Sequence, residues 1–205
     1  MTRPKVIGLT GNIATGKSTV LAYLAAKGAH VVDADKLAHR AMQPDGPAFP
    51  LILAEFGQEI LARDGTIDRP ALGRLVFTDP SALGRLEAIL HPQVFALAEQ
   101  EIEAAASNSA SNSVPVVILE AIKLLESGWT IRLCDEIWVI TAPIEAQLQR
   151  LADTRNMGAD EATRRMAAQS TQEAKAAQAD QIIRNNGSLA DLYGQLDELW
   201  AAVSG

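Results

Sequence analysis

Gly11-Asn12-Ile13-Ala14-Thr15-Gly16-Lys17-Ser18 spells G-x-x-x-x-G-K-[ST] without a mismatch. A loop of this pattern turns its backbone N–H groups toward nucleotide phosphates, with the lysine ammonium on the β/γ oxygens and the serine hydroxyl on Mg²⁺. Its surroundings support that use. Upstream, Lys5-Val6-Ile7-Gly8-Leu9-Thr10 is a short β-branched apolar run and predicts a buried strand. Downstream, Val20, Leu21, Leu24 and Ala25 recur at helical spacing, and Gly28 stands where a helix-ending glycine belongs. Strand, glycine loop and helix therefore come in the order that sets phosphates against a helix N-terminus with its unpaired N–H groups. The expected contacts to a nucleoside triphosphate are Gly11, Asn12, Ile13, Ala14, Thr15, Gly16, Lys17, Ser18 and Thr19.

Working outward, the strand candidates are Ala29–Asp35, Val114–Glu120, Glu136–Ile140 and Gln181–Arg184. Helices are expected at about 144–155 and 160–177, and over the last stretch, where Leu189, Leu192, Leu196 and Leu199 repeat. Apolar strands alternating with helices imply an α/β fold with a five-stranded parallel sheet covered on both faces. From Leu37 to Ala106 the pattern is helical, broken at 44–47, 63–65 and 79–80, and reads as a lobe inserted over the strand ends. The expected division is a single domain with core 1–40, 114–149 and 174–205, a helical insert 41–106, a flexible polar loop 107–113, and a small helical lid 150–173.

The 205 residues, with a net charge of −7, lack the basic balance of a nucleic-acid binder. Anionic ligands must instead be drawn in by local Lys and Arg. No apolar stretch reaches the roughly 18 residues that span a bilayer, and no signal-peptide pattern opens the chain. The single cysteine, Cys134, reads as a reduced core residue. A cytoplasmic protein is expected, with no membrane, nucleic-acid or protein partner indicated.

Several polar residues narrow the chemistry. Asp33 and Asp35 close the second strand candidate, where a phosphoryl acceptor needs a carboxylate to orient its hydroxyl and take its proton. Asp35 reads more readily as the cap of the following helix, leaving Asp33 as the base. Glu120 ends an apolar strand where an acid holds Mg²⁺ through water. Arg150 and Arg155 belong to a basic cluster in an otherwise acidic chain. Five residues apart, they lie about 140° round a continuous helix and face one ligand only if the helix ends between them. Met157-Gly158 suggests an end nearby, which would let Arg155 swing over a nucleotide. Arg164 reads as part of a solvated helix face, and His30 and His39 as structural. His91-Pro92 stands in a loop-like context, where the imidazole would contact a phosphate or pack. Asn185-Asn186-Gly187 after the last strand would form a base-contact loop suited to adenine. The guanine-reading Asn-Lys-x-Asp string does not occur.

With these residues in place, the chain resembles the dephospho-CoA kinase family from about Val6 to Leu199. The resemblance rests on Gly8-Leu9-Thr10-Gly11 running into the loop, Asp33-Ala34-Asp35, Gly65-Thr66-Ile67-Asp68-Arg69 and Leu86-Glu87-Ala88-Ile89-Leu90-His91-Pro92. It continues with Arg150-Leu151, Arg155-Asn156, Arg165-Met166 with Gln169, and Ala179-Asp180 leading to Asn185. It implies a P-loop kinase core with an acceptor-binding helical lobe, ATP and Mg²⁺ as requirements, and dephospho-CoA as acceptor. Asp33 would be the base, with Lys17, Arg150 and Arg155 around the transferred group. Asp35, Arg69, His91 and Glu120 would face the acceptor, and Ser18 would ligate Mg²⁺ with Asp33 or Glu120 acting through water.

One stretch departs from the family pattern. Where the family shows Asp-x-Pro-Leu-Leu-Phe-Glu, this chain has Glu120-Ala121-Ile122-Lys123-Leu124-Leu125-Glu126, and Lys123 offers an extra contact to an acceptor phosphate. The residues by themselves leave two other readings open: a kinase of the same fold acting on another nucleotide, and a non-catalytic ATP-dependent switch.

Overall fold

A computed structural model describes residues 3–108 and 115–204. The elements run β1 (Lys5–Gly11), α1 (Lys17–Ala26), β2 (His30–Asp33), α2 (Ala34–Ala41), α3 (Phe49–Phe56), α4 (Arg69–Thr78) and α5 (Pro80–Asn108). They continue with β3 (Val116–Glu120), α6 (Leu124–Ser127), β4 (Glu136–Thr141), α7 (Ile144–Arg155), α8 (Ala159–Ala167), α9 (Gln172–Ala176), β5 (Gln181–Arg184) and α10 (Leu189–Val203). Two compact units result: Met1–Val32 with Glu101–Gly205, and Asp33–Gln100.

The first unit holds the five-stranded parallel sheet, in the order β2-β3-β1-β4-β5. Every residue of β3 is buried, as a strand covered on both faces requires. Leu9 pairs with Glu120 on one side of β1, and Gly11 with Ile140 on the other. From β1 the chain crosses to β2 on one side, whereas β4 flanks β1 on the other, so the end of β1 is a topological switch point. The core around Ile7, Leu9, Val20, Leu24, Ile118, Trp138, Ile140 and Ile183 is closed by Leu192 and Leu196 of α10. Gly8 has no room for a side chain: a Cβ there would stand 2.7 Å from Leu124 Cδ2 and 2.8 Å from Cys134 Sγ. Gly28 ends α1 as expected, at φ 104°.

The second unit packs Ile52, Phe56, Ile60, Ile67, Leu72, Val76 and Ala82 into a core of its own. Asp68 starts α4 by accepting from the Ala71 amide at 3.0 Å.

Three local expectations change. The 160–177 helix is two helices, because Thr171 caps α9 by accepting from the Ala174 amide at 3.1 Å and residues 169–170 turn their polar groups elsewhere. His91 and Pro92 lie inside α5, not in a loop. Proline there only removes one amide from a long helix whose packing face carries it. Ser107 and Asn108 end α5, and the rest of the expected 107–113 loop lies outside the described residues. Among the described residues no helix is long and apolar enough to cross a membrane.

Candidate active site

The phosphate loop bridges β1 and α1. Gly16, at φ 107°, caps α1, and Ala14 is held in the left-handed region at φ 59°. Positive φ at a residue with a Cβ is strained and persists only where neighbours impose it. Those neighbours are present. Thr15, fully buried, donates its hydroxyl to the Asn12 carbonyl at 2.9 Å. Asn185 Nδ2 donates to the Thr15 carbonyl at 2.8 Å. Arg150 Nη1 donates to the carbonyls of Ala14 and Thr15 at 3.0 and 3.3 Å. Ile13 and Ala14 also pack against Leu151, Met157 and Ala162, so the loop tip sits on α7 and α8.

Lys17 Nζ donates to the Gly11 carbonyl at 2.7 Å and lies 3.9 Å from Glu120 Oε1. The ammonium is thus folded back over the loop. Ser18 stands in the first turn of α1 and Glu120 is buried at the end of β3. A hydroxyl and a carboxylate are hard oxygen donors, the set that Mg²⁺ prefers.

Arg150 and Arg155 do not meet the condition for a shared ligand. α7 is continuous from Ile144 through Arg155 and ends on Asn156 at φ 47°. The two side chains thus diverge by about 140°. Arg150 is partly buried on the loop, and Arg155 is exposed. Asn185 is buried at 7% exposure and its amide holds the loop backbone.

Within the second unit, the helix cap is Asp33, not Asp35. Asp33 Oδ1 accepts from the Lys36 amide at 2.9 Å, and Oδ2 lies 3.1 Å from Lys36 Nζ. Asp35 sits in the first turn of α2. Arg69 Nη1 approaches His39 Nδ1 at 3.4 Å, so a histidine read as structural stands beside a candidate acceptor contact. His91 lies in α5 and is half-buried.

Cys134 is partly buried, and desolvation pushes its thiol up to about 12. The sequence reading missed Lys175, Ser170 and Gln172 altogether. Gln172 Oε1 accepts from the Ala142 amide at 2.8 Å, and its Nε2 donates to the Ala142 carbonyl at 3.0 Å, fastening α9 to the end of β4. An isolated lysine in an alanine-rich polar helix gives no sequence signal of burial.

The family model described as dephospho-CoA kinase matches residues 5–191. The chain belongs to the dephospho-CoA kinase family. A dephospho-CoA kinase of Geobacter sulfurreducens is 44% identical over 196 residues, covering 96% of this chain and 97% of the relative. Among solved structures, the Thermus thermophilus protein TT1252 superposes with a TM-score of 0.82 at 36% identity, covering all of both chains. The dephospho-CoA kinase of Campylobacter jejuni superposes with a TM-score of 0.69 at 29% identity, over 97% of this chain and 96% of that one. The family is one of ATP-dependent kinases, and the five-stranded parallel sheet with its phosphate loop is the P-loop kinase fold that the sequence implied.

Proposed function

We propose that this dephospho-CoA kinase family member transfers the γ-phosphate of ATP to the ribose 3′-hydroxyl of dephospho-CoA, giving CoA in the last step of its biosynthesis. The observation that carries this is the braced phosphate loop, with Lys17 folded over it and Arg150 seated on its backbone. Phosphoryl transfer needs little covalent work from a protein, and most of the catalysis is positioning and charge neutralisation.

In this reading the loop amides and Lys17 hold the β- and γ-phosphates, Lys17 exchanging the Gly11 carbonyl for phosphate oxygens. Ser18 would hold Mg²⁺, with Asp33 or Glu120 reaching it through water. When bound, the ion neutralises charge on the β- and γ-phosphates. Asp33, at the end of β2, orients the 3′-hydroxyl and accepts its proton. The 3′-oxygen forms its bond to the γ-phosphorus as the bond to the β-bridging oxygen breaks, and ADP leaves. Arg150 meets the charge on the transferred group. Arg155 would join it only if the end of α7 reorients during lid closure. Asn185 holds the loop beneath the nucleoside. Asp35, Arg69, His91 and Glu120 serve the acceptor, the helical insert 41–106 its binding and residues 150–173 the lid. The compartment is the cytoplasm.

The experiment is ADP release from Mg·ATP in a coupled assay with dephospho-CoA, AMP, CMP, adenosine or no acceptor. Release that depends on dephospho-CoA and matches CoA formed mole for mole is expected. Preference for another acceptor would move the substrate, and no stimulation by any would overturn the kinase reading.

A further inference from the structure

Lys175 of α9 is 1% exposed. An ammonium taken out of water is costly unless it is fully paired, and here its partners are specific. Nζ donates to Glu126 Oε1 at 2.7 Å and to the Ile122 carbonyl at 3.0 Å. Both partners have a second tie. The Ile122 carbonyl also accepts from Thr10 Oγ1 at 3.2 Å, at the end of β1. Glu126 Oε1 also accepts from Ser170 Oγ. The turn that carries Ser170 grips the phosphate loop twice. Asn12 Nδ2 donates to the Ser170 carbonyl at 2.9 Å, and the Ile13 amide donates to Gln169 Oε1 at 2.9 Å.

Contacts therefore run from Lys175 through Glu126 to Ser170, whose carbonyl holds Asn12 and whose neighbour Gln169 holds Ile13. We propose that Lys175 is a positioning residue for nucleotide binding. Its buried ammonium holds the 169–170 turn, through Glu126, where that turn sets the shape of the loop at Asn12 and Ile13.

Magnitudes favour positioning over bulk stabilisation. Lys175 is buried but the Glu126 side chain is 34% exposed, so water screens the attraction at the carboxylate while desolvation of the ammonium offsets much of the rest. What such a pair fixes is geometry. Here the geometry belongs to a loop whose amides must point at phosphates, and the pair spans α9, the segment after β3 and the turn below α8. Lys175 touches no reacting atom in this scheme and acts through Glu126 and Ser170. Its two acceptors, Glu126 and the Ile122 carbonyl, both lie in the Glu120–Glu126 stretch.

The proposal rests on the reading of the loop as an ATP site, and not on the identity of the acceptor. The test is calorimetric binding of Mg·AMPPNP to the full chain, alongside thermal unfolding, for wild type, Lys175→Met, Ser170→Ala and the double variant. Lys175→Met is expected to weaken binding about tenfold, as a small misplacement of the binding groups does. Ser170→Ala, which leaves the ion pair intact and barely touches the fold, should weaken it by a smaller factor. The double variant should be no worse than Lys175→Met, because both cut one chain of contacts. A Lys175→Met protein that binds Mg·AMPPNP like wild type, even with a lowered Tm, would overturn the proposal. Should Lys175→Met fail to fold, unchanged affinity in Ser170→Ala does the same. A wild type that does not bind Mg·AMPPNP sinks the ATP reading and this one together. Normal wild-type binding with unaffected variants sinks only this one.

Discussion

Arg150 Nη1 lies 3.0 Å from the carbonyl oxygen of Ala14, the one residue of the phosphate loop with a Cβ and a positive φ. The guanidinium therefore helps hold the strained turn at the loop tip. Arg155, on the same helix, has no such engagement with the loop, because α7 does not end between them. Arg150→Ala should lower kcat/KM for ATP by about 100-fold, and Arg155→Ala by much less, in steady-state assays. Arg150→Lys should recover little, since the rigid planar guanidinium aims Nη1 at both carbonyls and a flexible ammonium is not held in that position. Equal losses for the two alanine variants would mean that the end of α7 reorients in the reacting state.

Asp33 combines a helix cap with the proposed role of base, and the two can be separated. Asparagine caps as well as aspartate, so Asp33→Asn should stay within about 0.5 kcal/mol of wild type in denaturant unfolding. Its turnover should nevertheless fall by about 100-fold or more, with ATP affinity kept. Asp33→Ala should lose turnover and, in addition, about 1 kcal/mol of stability with the cap. Turnover of Asp33→Asn within a few-fold of wild type would remove Asp33 as the base.

Burial by itself raises the Glu126 carboxyl, but the hydrogen bonds from Lys175 and Ser170 outweigh it, and the pKa lies below the usual value of 4.5. A carboxyl depressed in the folded state binds its proton more readily when unfolded. Its stabilisation is thus fully present above pH 4.5 and is lost as pH falls through the lower folded value. Thermal unfolding of wild type should weaken through that acid window, and Glu126→Gln should flatten this part of the profile while lowering Tm near neutrality. Parallel profiles for the two proteins would show that Glu126 does not carry the linkage.

The Cys134 thiol, pushed up to about 12 by burial, has almost no thiolate at pH 8. Native protein should react with iodoacetamide far more slowly than protein unfolded in urea, measured as alkylation by intact mass. Comparable rates would show that the space between Gly8 and Cys134 opens readily.

Features that depend on neighbours along the chain could be read from residue order alone. The phosphate loop, the strands near Lys5–Gly11, Val116–Glu120, Glu136–Thr141 and Gln181–Arg184, and the helix Ile144–Arg155 were all legible. Hydrophobic periodicity and glycine placement act over a few residues, so they can be read in order. Composition also placed the insert breaks near Pro44, Gly65 and Pro80, where turns separate the helices of the second unit.

Pairing between distant residues emerged with the fold. Lys175 and Glu126 stand 49 residues apart, and Arg150 and Ala14 stand 136 apart. The order β2-β3-β1-β4-β5 brings such residues together by crossing the chain over the sheet, which no local pattern encodes. The same cause explains the local misreadings. Gln169 and Ser170 break the expected 160–177 helix because their polar groups have partners in the loop and on Glu126. Pro92 stays inside α5 although proline is a local helix breaker, since tertiary packing of an apolar face outweighs one missing amide. Propensity and periodicity are short-range and nearly additive along the chain. Polar pairing and burial belong to the folded arrangement, and they placed Arg150 and Asn185 on the loop and Lys175 on Glu126.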